Sequence, residues 1–343
     1  MSETSETINK FFEEVKAAGT AEVNIILHDT PDPDACGSGA GFQLVCKHFG
    51  IEAKIYYRGE VSHPQNKTLI NLLRMPLIKT QAAPEGINIC VDCTPANSCV
   101  SEALLVIDHH KTTPKSKYHI IKPNIGACAT IIWKLISDLK IENNSENADI
   151  YTALLVGIRT DTNDLISENM TKDDFTAYQQ LLEIVDKENL QKIMNYPLPR
   201  YLYEKRLVLH QEGNSYENNG IFVGGIGNIS AAQRDVIAIL AHEYTRMESV
   251  NTAIIFAITD KKMLEVSIRS NNVSLDVNQL CKDLFGEFGG GNSFKGAAKI
   301  PLNFYSNVDD NLKEDLWKIT CNHMFKLVLK ENWKQPINKE EVN

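Results

Sequence analysis

The sequence contains no hydrophobic run long enough to cross a bilayer. Apolar stretches such as INICV (87–91) and IFAI (255–258) end after a few residues, whereas a membrane-spanning helix needs about 20. Residues 1–20 are polar and acidic and lack the apolar centre of a signal peptide. These absences argue against a membrane protein, and we expect a cytoplasmic one.

Positive charge is also scarce, since 35 Lys and Arg residues stand against 44 Asp and Glu residues for a net charge of −9. A protein that coats long nucleic acid depends on neutralising many phosphates, so we expect no such partner. A short phosphorylated ligand held by a few local cations stays compatible with this charge. Eight cysteines in 343 residues are too few for a secreted disulfide framework and predict reduced thiols.

Short apolar runs alternate with helical stretches in the first half of the chain. VNIILH (23–28), INICVD (87–92) and ALLVID (103–108) are typical of buried parallel strands, and residues 35–49 follow the first of them as a helix. This alternation predicts an α/β protein with a parallel sheet.

The length predicts about two domains. Prolines flank Leu198, and we place a linker at residues 188–205. This divides the chain into an N-terminal parallel-sheet domain over 1–187 and a smaller C-terminal α/β domain over 206–343.

Histidines and aspartates collect where these predicted strands end. The segment HDTPDPD (28–34), Asp92 and the triplet 108–110 each follow a strand, and Asp161 follows an apolar helix. Because open α/β sheets bind ligands at the carboxyl ends of their strands, these side chains should converge. The candidate metal ligands are His28, Asp32, Asp34, Asp92, His109 and Asp161. Imidazole and carboxylate donors suit Mn²⁺, with Mg²⁺ or Co²⁺ open, and so many donors favour a pair of ions that generate hydroxide and clamp a phosphate.

Each of these features has a structural alternative when it is taken alone. An aspartate at a strand end is often only a helix cap, and PDPD forms turns for conformational reasons. Four clusters at or beside strand ends favour the metal site over coincidence. Cys90 and Cys93 form a C-x-x-C pair near Cys99, but a zinc or redox site calls for a second pair, which the sequence lacks. The role of Arg159 is left open.

The order of HDTPDPDACGS (28–38), VDC (91–93), IDHH (107–110) and GIRTDT (157–162) resembles the DHH phosphoesterase superfamily. The C-terminal VSIRS (266–270) and GGGN (289–292) look like the first type of DHH-associated domain, which binds substrate. The resemblance extends from about residue 20 to about residue 305. It implies a catalytic metal-binding domain, a substrate-binding domain and an active-site cleft between them.

The resemblance also implies a role for each matching residue. His28, Asp32, Asp92 and Asp161 would hold one ion, and Asp34, Asp92 and His109 the other, with Asp92 bridging. His110 would touch the scissile phosphate or orient the metal shell, and Asp108 would support the histidines from behind. The catalytic residues are thus Asp108, His109 and His110, and the implied substrate-binding residues are Arg269, Ser270, Gly289, Gly290, Gly291 and Asn292.

Two positions depart from the family pattern. Asn292 stands where the family commonly has histidine, and an amide can donate to a phosphate oxygen but carries no charge. Pro33 replaces the small residue often found between the two aspartates. The glycines at 289–291 are either a flexible turn or, as we favour, a loop whose amides cradle a phosphate.

The motifs with this two-domain layout resemble the oligoribonuclease/pAp phosphatase type. We therefore expect a Mn²⁺-dependent phosphoesterase acting on short phosphorylated nucleotides. Alternatives are a phosphodiesterase or phosphatase for cyclic dinucleotides or other small molecules, and a nucleotide sensor without activity. Inorganic pyrophosphatases share the N-terminal motifs but carry a Ser-Arg-Lys-Lys-Gln signature that is absent here. The sequence leaves a homodimer open.

Overall fold

The computed structural model describes residues 2–260, 262–303 and 310–329. The chain forms two compact units, Met1–Pro197 and Leu198–Asn343. In the described residues no helix combines the length and the apolarity that a membrane span requires.

The first unit is built around a parallel six-stranded sheet. Its strands are β1 (Glu22–Ile26), β2 (Glu52–Tyr57), β3 (Leu77–Lys79), β4 (Asn88–Val91), β5 (Leu105–Asp108) and β6 (Tyr118–Ile121). Their order is β3-β2-β1-β4-β5-β6, and every neighbouring pair is parallel. The predicted parallel sheet is therefore confirmed, and its strands all end at the same edge.

Helices cover this sheet. They are α1 (Glu3–Ala17), α2 (Pro33–His48), α3 (Pro64–Leu72), α4 (Cys128–Asp138), α5 (Ala148–Asp161), α6 (Lys172–Leu182) and α7 (Lys187–Met194). The first helix is amphipathic, and its Ile8, Phe11, Phe12 and Val15 are all buried in the core. Short 3-10 helices occupy Pro95–Asn97 and Ser145–Asn147.

Two glycines allow α2 and α5 to pack closely. A Cβ atom on Gly37 would lie 2.6 Å from the carbonyl oxygen of Ala153, and one on Gly157 would lie 2.9 Å from Cα of Asp34. Both distances are shorter than carbon side chains tolerate, so only glycine fits. The end of α5, with Asp161, is consequently held beside the first turn of α2.

The second unit contains a mixed six-stranded sheet. Its elements are α8 (Arg200–Leu209), β7 (Ser215–Asn218), β8 (Ile221–Ile229), α9 (Asp235–Tyr244), β9 (Thr252–Thr259), β10 (Met263–Ser270), α10 (Val277–Phe285), β11 (Gly289–Gly291), β12 (Lys295–Pro301) and α11 (Asp310–Leu329), with 3-10 helices at Ala231–Gln233 and Gly286–Phe288. The strand order is β11-β12-β10-β9-β8-β7, with β8 and β9 parallel and the other pairs antiparallel. A second α/β unit was expected, and its antiparallel pairs were not.

Several elements differ from the sequence prediction. The short edge strands β3 and β6 were not predicted, because only partly buried strands of three or four residues leave no apolar run. The linker at 188–205 stays a prediction: the boundary between the two units lies inside it, and α7 and α8 leave only residues 195–199 between them. The stretch SAAQRDVIAILAHEYTRM (230–247), which the sequence predicts as one helix, is a 3-10 turn followed by α9. The sequence also predicts a C-terminal amphipathic helix over 309–332, of which residues 309 and 330–332 lie outside the described residues.

Candidate metal centre

The loop after β1 and the start of α2 carry three of the predicted ligands, His28, Asp32 and Asp34. Asp32 is the N-cap of α2, where its carboxylate accepts a hydrogen bond of 3.0 Å from the amide of Ala35. Pro33 takes the first helical position, which needs no amide donor. The Asp-Pro-Asp sequence thus starts the helix and keeps two carboxylates at its first turn. Nε2 of His28 lies 3.8 Å from Oδ1 of Asp32.

Asp34 is completely buried, and the start of another helix holds its carboxylate. The amides of Cys128 and Ala129, at the beginning of α4, each donate to it at 2.7 Å. The hydroxyl of Ser38 donates to it at 3.3 Å. A helix N-terminus favours negative charge. Burial, followed by the charge of Asp161, nevertheless raises the pKa of Asp34 to about 7.

Asp92 follows β4 with a left-handed backbone at φ 57°. This conformation costs a non-glycine residue about 1–2 kcal/mol, although aspartate tolerates it better than most. The amide of Asp92 donates to the carbonyl of Ile107 at 2.9 Å, so the contact with β5 continues up to this residue. The side chain is buried, and its Oδ1 has no hydrogen bond. Burial raises the pKa of Asp92 well above its usual range, and the charge of Asp34 raises it further.

The two imidazoles of the triplet Asp108-His109-His110, at the end of β5, contact different partners. Nδ1 of His109 lies 3.2 Å from the carbonyl oxygen of Ile125, and its Nε2 lies 3.6 Å from Oδ1 of Asp92. Nδ1 of His110 lies 2.8 Å from Oδ1 of Asp108, and this imidazole is 62% exposed. The resemblance implied that Asp108 supports both histidines. In the structure it orients His110, and a main-chain carbonyl orients His109.

Asp161 ends α5 and lies next to His109. Its Oδ2 is 3.3 Å from Nε2 of His109, which is also 3.8 Å from Oδ2 of Asp34. Residues 163–165 follow with left-handed backbone at φ 47°, 59° and 67°. Arg159, whose role the sequence left open, pairs through its guanidinium with the carboxylate of Asp164 at 2.6 Å in this turn.

The candidate ligand atoms form overlapping groups in which all atoms lie within 4.8 Å of one another. The groups are His28 with Asp32 and Asp92, Asp34 with His109 and Asp161, and Asp92 with His109 and His110. The resemblance had assigned Asp161 to the ion held by His28. The structure instead groups Asp161 with Asp34 and His109, because the close packing of α2 and α5 brings those carboxylates together.

The cluster contains more carboxylates than its imidazoles can neutralise. Burial alone would lower the pKa of His109, but the contact with the carboxylate of Asp161 and the charge of Asp34 outweigh it and raise that pKa to about 9. Burial likewise opposes the charged form of His28, and its contact with Asp32 outweighs this and raises the pKa of the imidazole. The remaining repulsion among buried carboxylates calls for additional positive charge.

The donor set fits divalent metal ions. Oδ1 of Asp92 and Nε2 of His109 are buried without hydrogen bonds, and unpaired buried polar atoms are costly. A cation between them would satisfy both atoms. Carboxylate oxygens and imidazole nitrogens suit ions such as Mn²⁺. Asp92 and His109 each belong to two of the groups, as expected for neighbouring ions that share a bridging ligand.

The predicted substrate-binding residues lie in the second unit. Arg269 is half-buried on β10, and its Nη1 donates to Oγ of Ser267 at 3.0 Å and to the carbonyl oxygen of Ile268 at 2.8 Å. Ser270 is buried, with its hydroxyl 2.8 Å from that of Thr252. This hydroxyl is therefore part of the packing between β9 and β10.

The glycine run is a strand and not the phosphate-cradling loop that we favoured. Residues 289–291 form β11 and pair with β12 as Gly289 with Ala298, Gly290 with Ala297 and Gly291 with Gly296. The amide of Gly291 donates a hydrogen bond to Oδ1 of Asn278 at 3.1 Å. Oδ1 of Asn292 turns back on the chain and accepts from the amides of residues 294 and 295 at 3.0 and 2.9 Å. Glycine allows an edge strand as readily as a loop when a neighbouring strand is available.

The groups that hold the ligands in place have no signature in the sequence. The amides at the start of α4 and the carbonyl of Ile125 leave no sequence signal, because any residue supplies them. Asp174 is buried and accepts from the amide of Gly126 at 2.9 Å and from the hydroxyl of Thr130 at 2.6 Å. It thereby fixes the segment whose carbonyl orients His109. A buried aspartate in a capping box gives no sign of this longer-range role.

Residues 22–158 match the model of the DHH family, N-terminal domain. The N-terminal unit belongs to the DHH family. Except for Asp161, the clustered Asp and His side chains lie within the matched residues, and their donor atoms form groups that could hold a metal ion. The family assignment that the motifs predicted is confirmed for this unit. The first type of DHH-associated domain in the second half stays a prediction.

Curated relatives cover the chain to different extents. Uncharacterized protein MJ1633 of Methanocaldococcus jannaschii is 30% identical over 308 residues, which are 87% of this chain and 62% of that protein. A probable manganese-dependent inorganic pyrophosphatase of Lactobacillus acidophilus is 29% identical over 171 residues, 46% of this chain and 53% of its own. The bifunctional oligoribonuclease and PAP phosphatase NrnA of Thermus thermophilus is 29% identical over 175 residues, 49% of this chain and 52% of its own. The chain thus spans less than two thirds of each.

A solved structure resembles the whole fold. The crystal structure of an exopolyphosphatase-related protein from Bacteroides fragilis aligns with a TM-score of 0.64 and covers 96% of this chain and 98% of its own. The sequences are 15% identical, so the likeness concerns the fold alone. The α/β architecture with a parallel N-terminal sheet and a mixed C-terminal sheet is therefore confirmed.

Proposed function

We propose that the protein is a Mn²⁺-dependent phosphoesterase that hydrolyses short phosphorylated nucleotides, such as dinucleotides and pAp. One observation carries the metal dependence: Oδ1 of Asp92 and Nε2 of His109 are buried, close together and without hydrogen bonds inside a cluster of carboxylates. A cation between these two atoms would stabilise the arrangement.

The ligand groups suggest which residues hold each ion. His28, Asp32 and Asp92 would hold one ion, and Asp34, His109 and Asp161 the other, with Asp92 shared. Divalent ions supply Lewis-acid stabilisation of a phosphate and make a water molecule acidic enough to lose a proton near neutral pH. The protein's part is to keep the ligands fixed, through the α4 amides on Asp34 and the carbonyl on His109.

His110 is the residue that we assign to the substrate. Because the carboxylate of Asp108 accepts the hydrogen bond from Nδ1, the imidazole presents Nε2 away from that contact. The imidazole is exposed and lies near Asp92, with 4.0 Å between Nδ1 and Oδ1. His110 can therefore contact the phosphate or donate a proton to the leaving oxygen.

Nucleotide chemistry is supported by charge and by one relative. The net charge of −9 disfavours long nucleic acids, which bind through many neutralised phosphates. The relative from Thermus thermophilus is named for oligoribonuclease and PAP phosphatase activity. A second candidate is pyrophosphate hydrolysis, since the relative from Lactobacillus acidophilus bears that name and matches a similar share of the chain.

The test is a substrate panel with Mn²⁺ and with EDTA. The panel contains pAp, the dinucleotide pApA, a cyclic dinucleotide and inorganic pyrophosphate, with product release followed by chromatography. We expect Mn²⁺-dependent turnover of pApA or pAp at least tenfold faster than of the other two. If pyrophosphate or the cyclic dinucleotide is turned over faster than pApA and pAp, that compound is the substrate and the short-nucleotide proposal is wrong. No turnover of any member with Mn²⁺ present would contradict the proposed activity.

A further inference from the structure

The chain leaves α5 through a turn with unusual backbone. Asn163, Asp164 and Leu165 are consecutive left-handed residues, at φ 47°, 59° and 67°. Asparagine and aspartate adopt this conformation more readily than other residues, whereas leucine bears the full steric cost of its Cβ atom. Strained backbone of this kind persists only where its surroundings hold it, and it occurs preferentially at functional sites. The contacts that hold this turn therefore indicate its role.

Thr162 holds the turn from the inside. Its side chain is buried, its hydroxyl donates to the carbonyl oxygen of Ile158, and the same hydroxyl oxygen accepts from the amide of Leu165 at 3.2 Å. Its carbonyl oxygen accepts from the amides of Ile166 and Ser167 at 3.1 and 3.0 Å. These bonds involve the main chain of the turn and explain how its inner side is closed.

Arg159 and Asp164 close the outer side of the turn. Nε of Arg159 donates to Oδ1 of Asp164 at 2.8 Å, and Nη2 lies 2.6 Å from the same oxygen. The amide of Asp164 donates in turn to the carbonyl oxygen of Arg159 at 2.7 Å. The two residues are thus joined through both side chain and main chain, with Asp161 between them in the sequence. We call Arg159 and Asp164 the turn clamp.

The clamped turn is in contact with the segment that orients His109. A Cβ atom on Gly126 would lie 2.7 Å from Cγ2 of Thr162, so the turn packs directly against this glycine. Gly126 follows Ile125, whose carbonyl oxygen lies 3.2 Å from Nδ1 of His109. Nε2 of the same imidazole lies 3.3 Å from Oδ2 of Asp161. The turn therefore bears on His109 from both sides, through the segment it packs against and through the aspartate that it follows.

Stability alone does not account for the turn clamp. Asp164 is 59% exposed, and an ion pair with an exposed partner contributes little to the free energy of unfolding because solvent screens the attraction. The clamp does place a cation in the last turn of α5, two residues before Asp161. A helix C-terminus disfavours a carboxylate such as that of Asp161, and a neighbouring cation reduces this cost. The clamp thus acts on the charge of this ligand as well as on its geometry.

We propose that Arg159 and Asp164 are positioning residues of the metal centre. They keep the turn in a conformation in which the carboxylate of Asp161 faces His109, so that both side chains can hold the same ion. Side chains that orient metal ligands contribute about 10- to 100-fold to metal affinity. The proposal rests on the metal site of the proposed function, and it is independent of which phosphate ester is the substrate.

The experiment measures Mn²⁺ binding without turnover, through the EPR signal of free Mn²⁺ in titrations of the full chain. Asp164→Gly removes the carboxylate and relaxes the left-handed backbone, since glycine adopts positive φ freely. We expect one Mn²⁺ to bind at least about tenfold more weakly, while the melting temperature of the metal-free variant stays within about 2 °C of the wild type. Arg159→Met should weaken the same ion equally, and the double variant no more than either single one. Arg159→Lys should keep most of the affinity, because one ammonium can contact the single oxygen that both guanidinium nitrogens reach.

Two control variants keep positioning apart from stability. Arg206→Met breaks a comparable pair with Glu243 in the second unit, where two contacts measure 2.7 Å, and should leave Mn²⁺ affinity as it is. Leu165→Gly relaxes the same turn with the clamp intact and should bind both ions as the wild type does.

The outcomes separate the turn clamp from the proposed function. If Asp164→Gly binds both ions with wild-type affinity, or if Arg206→Met loses as much affinity as Arg159→Met, the clamp proposal is wrong and the metal site stands. Affinity that only follows the melting temperature from variant to variant would assign the pair a structural role and would also overturn the proposal. If the wild type binds no Mn²⁺, both proposals fail. If the clamp variants lose one ion as expected and the substrate panel shows no turnover, the clamp stands and the proposed activity fails.

Discussion

The N-terminal unit gathers carboxylates at its candidate site, whereas the second unit places two cations, Arg269 and Lys295, opposite each other on neighbouring strands. Asp34 and Asp92 are buried among other acids, and burial and mutual repulsion raise the pKa of each. Arg269 and Lys295 are opposed across a strand pair with no acid bound to them in the described chain. Neither set of charges is neutralised by its own unit.

This difference indicates what each unit binds. A surplus of buried carboxylates and imidazoles is stabilised by divalent ions, and a surplus of arginine and lysine is stabilised by phosphate. In both cases the folded protein tolerates repulsion that a ligand of opposite charge relieves. Substitutions that remove a charge should therefore weaken the ligand and strengthen the ligand-free fold.

The largest effect is expected from Asp92→Asn. An amide cannot serve two ions as a shared carboxylate does, so turnover of pApA should fall by about a thousandfold or more. Metal content measured by mass spectrometry should fall below that of the wild type. Asp283→Asn, an exposed residue of α10, is the matched control and should keep both metal and rate. Normal turnover with full metal content in Asp92→Asn would contradict the bridging assignment.

The same substitution should stabilise the metal-free protein. The raised pKa of Asp92 means that its charged form is disfavoured in the folded state, and asparagine removes that charge with little change in shape. We expect the melting temperature of metal-free Asp92→Asn to exceed that of the metal-free wild type by about 2–4 °C for each kcal/mol gained. A lower melting temperature in the folded variant would mean that Asp92 has a structural partner.

Arg269→Ala should affect substrates according to their phosphates. We expect KM for pApA to rise about tenfold, and KM for a small chromogenic phosphodiester to change far less, because only pApA offers a second phosphate. Substrates of about 24 nucleotides should be turned over more slowly than dimers, since the acidic chain offers no long basic track. Equal losses on both substrates, or equal rates on long and short chains, would refute the short-nucleotide proposal.

Manganese should protect the protein in a pH-dependent way. The folded pKa of Asp34, about 7, exceeds the unfolded value, so metal-free stability falls as pH rises from about 4 to 7. The folded pKa of His109, about 9, is also raised, so its stabilisation is present below about 6.5 and is lost toward 9. The increase in melting temperature on adding Mn²⁺ should therefore grow from pH 5 to pH 9. The same increase in melting temperature at every pH would mean that Asp34 and His109 do not bind the metal.

The smallest catalytic effect is expected from replacing Cys90 and Cys93 with alanine. Both thiols are buried, and Sγ of Cys93 donates to the carbonyl oxygen of Ile26 at 3.2 Å. We expect a loss of stability of about 1 kcal/mol for each and turnover within about twofold of the wild type. A folded double variant without activity would favour the zinc or redox interpretation of the C-x-x-C pair.

The sequence predicts the parallel sheet and the convergence of the candidate ligands at its edge for a physical reason. Buried parallel strands are uninterrupted apolar runs, and the aspartates and histidines that follow them must meet at one edge. The assignment of Asp161 to the ion held by His28 differs from the grouping in the structure, because that grouping depends on how closely Gly37 and Gly157 let α2 and α5 approach each other. The distance between two helices is set by tertiary packing, and no local sequence pattern indicates it.

The second unit was harder to predict for the opposite reason. Its glycine run was interpreted as a loop, and it is a strand because β12 is available as a partner. Arg269 belongs to the motif VSIRS, but Lys295 lies in no motif, and only the pairing of β10 with β12 brings it beside Arg269.

The most direct test is to titrate the metal-free protein with Mn²⁺ while measuring the hydrolysis of pApA. The carboxylate cluster with Asp92 and His109 shared between ligand groups predicts that activity is absent without metal and saturates at two equivalents of Mn²⁺ per chain. The activity of Asp92→Asn should stay near background throughout the titration. Full activity without added metal, or saturation at one equivalent, would contradict a two-ion centre.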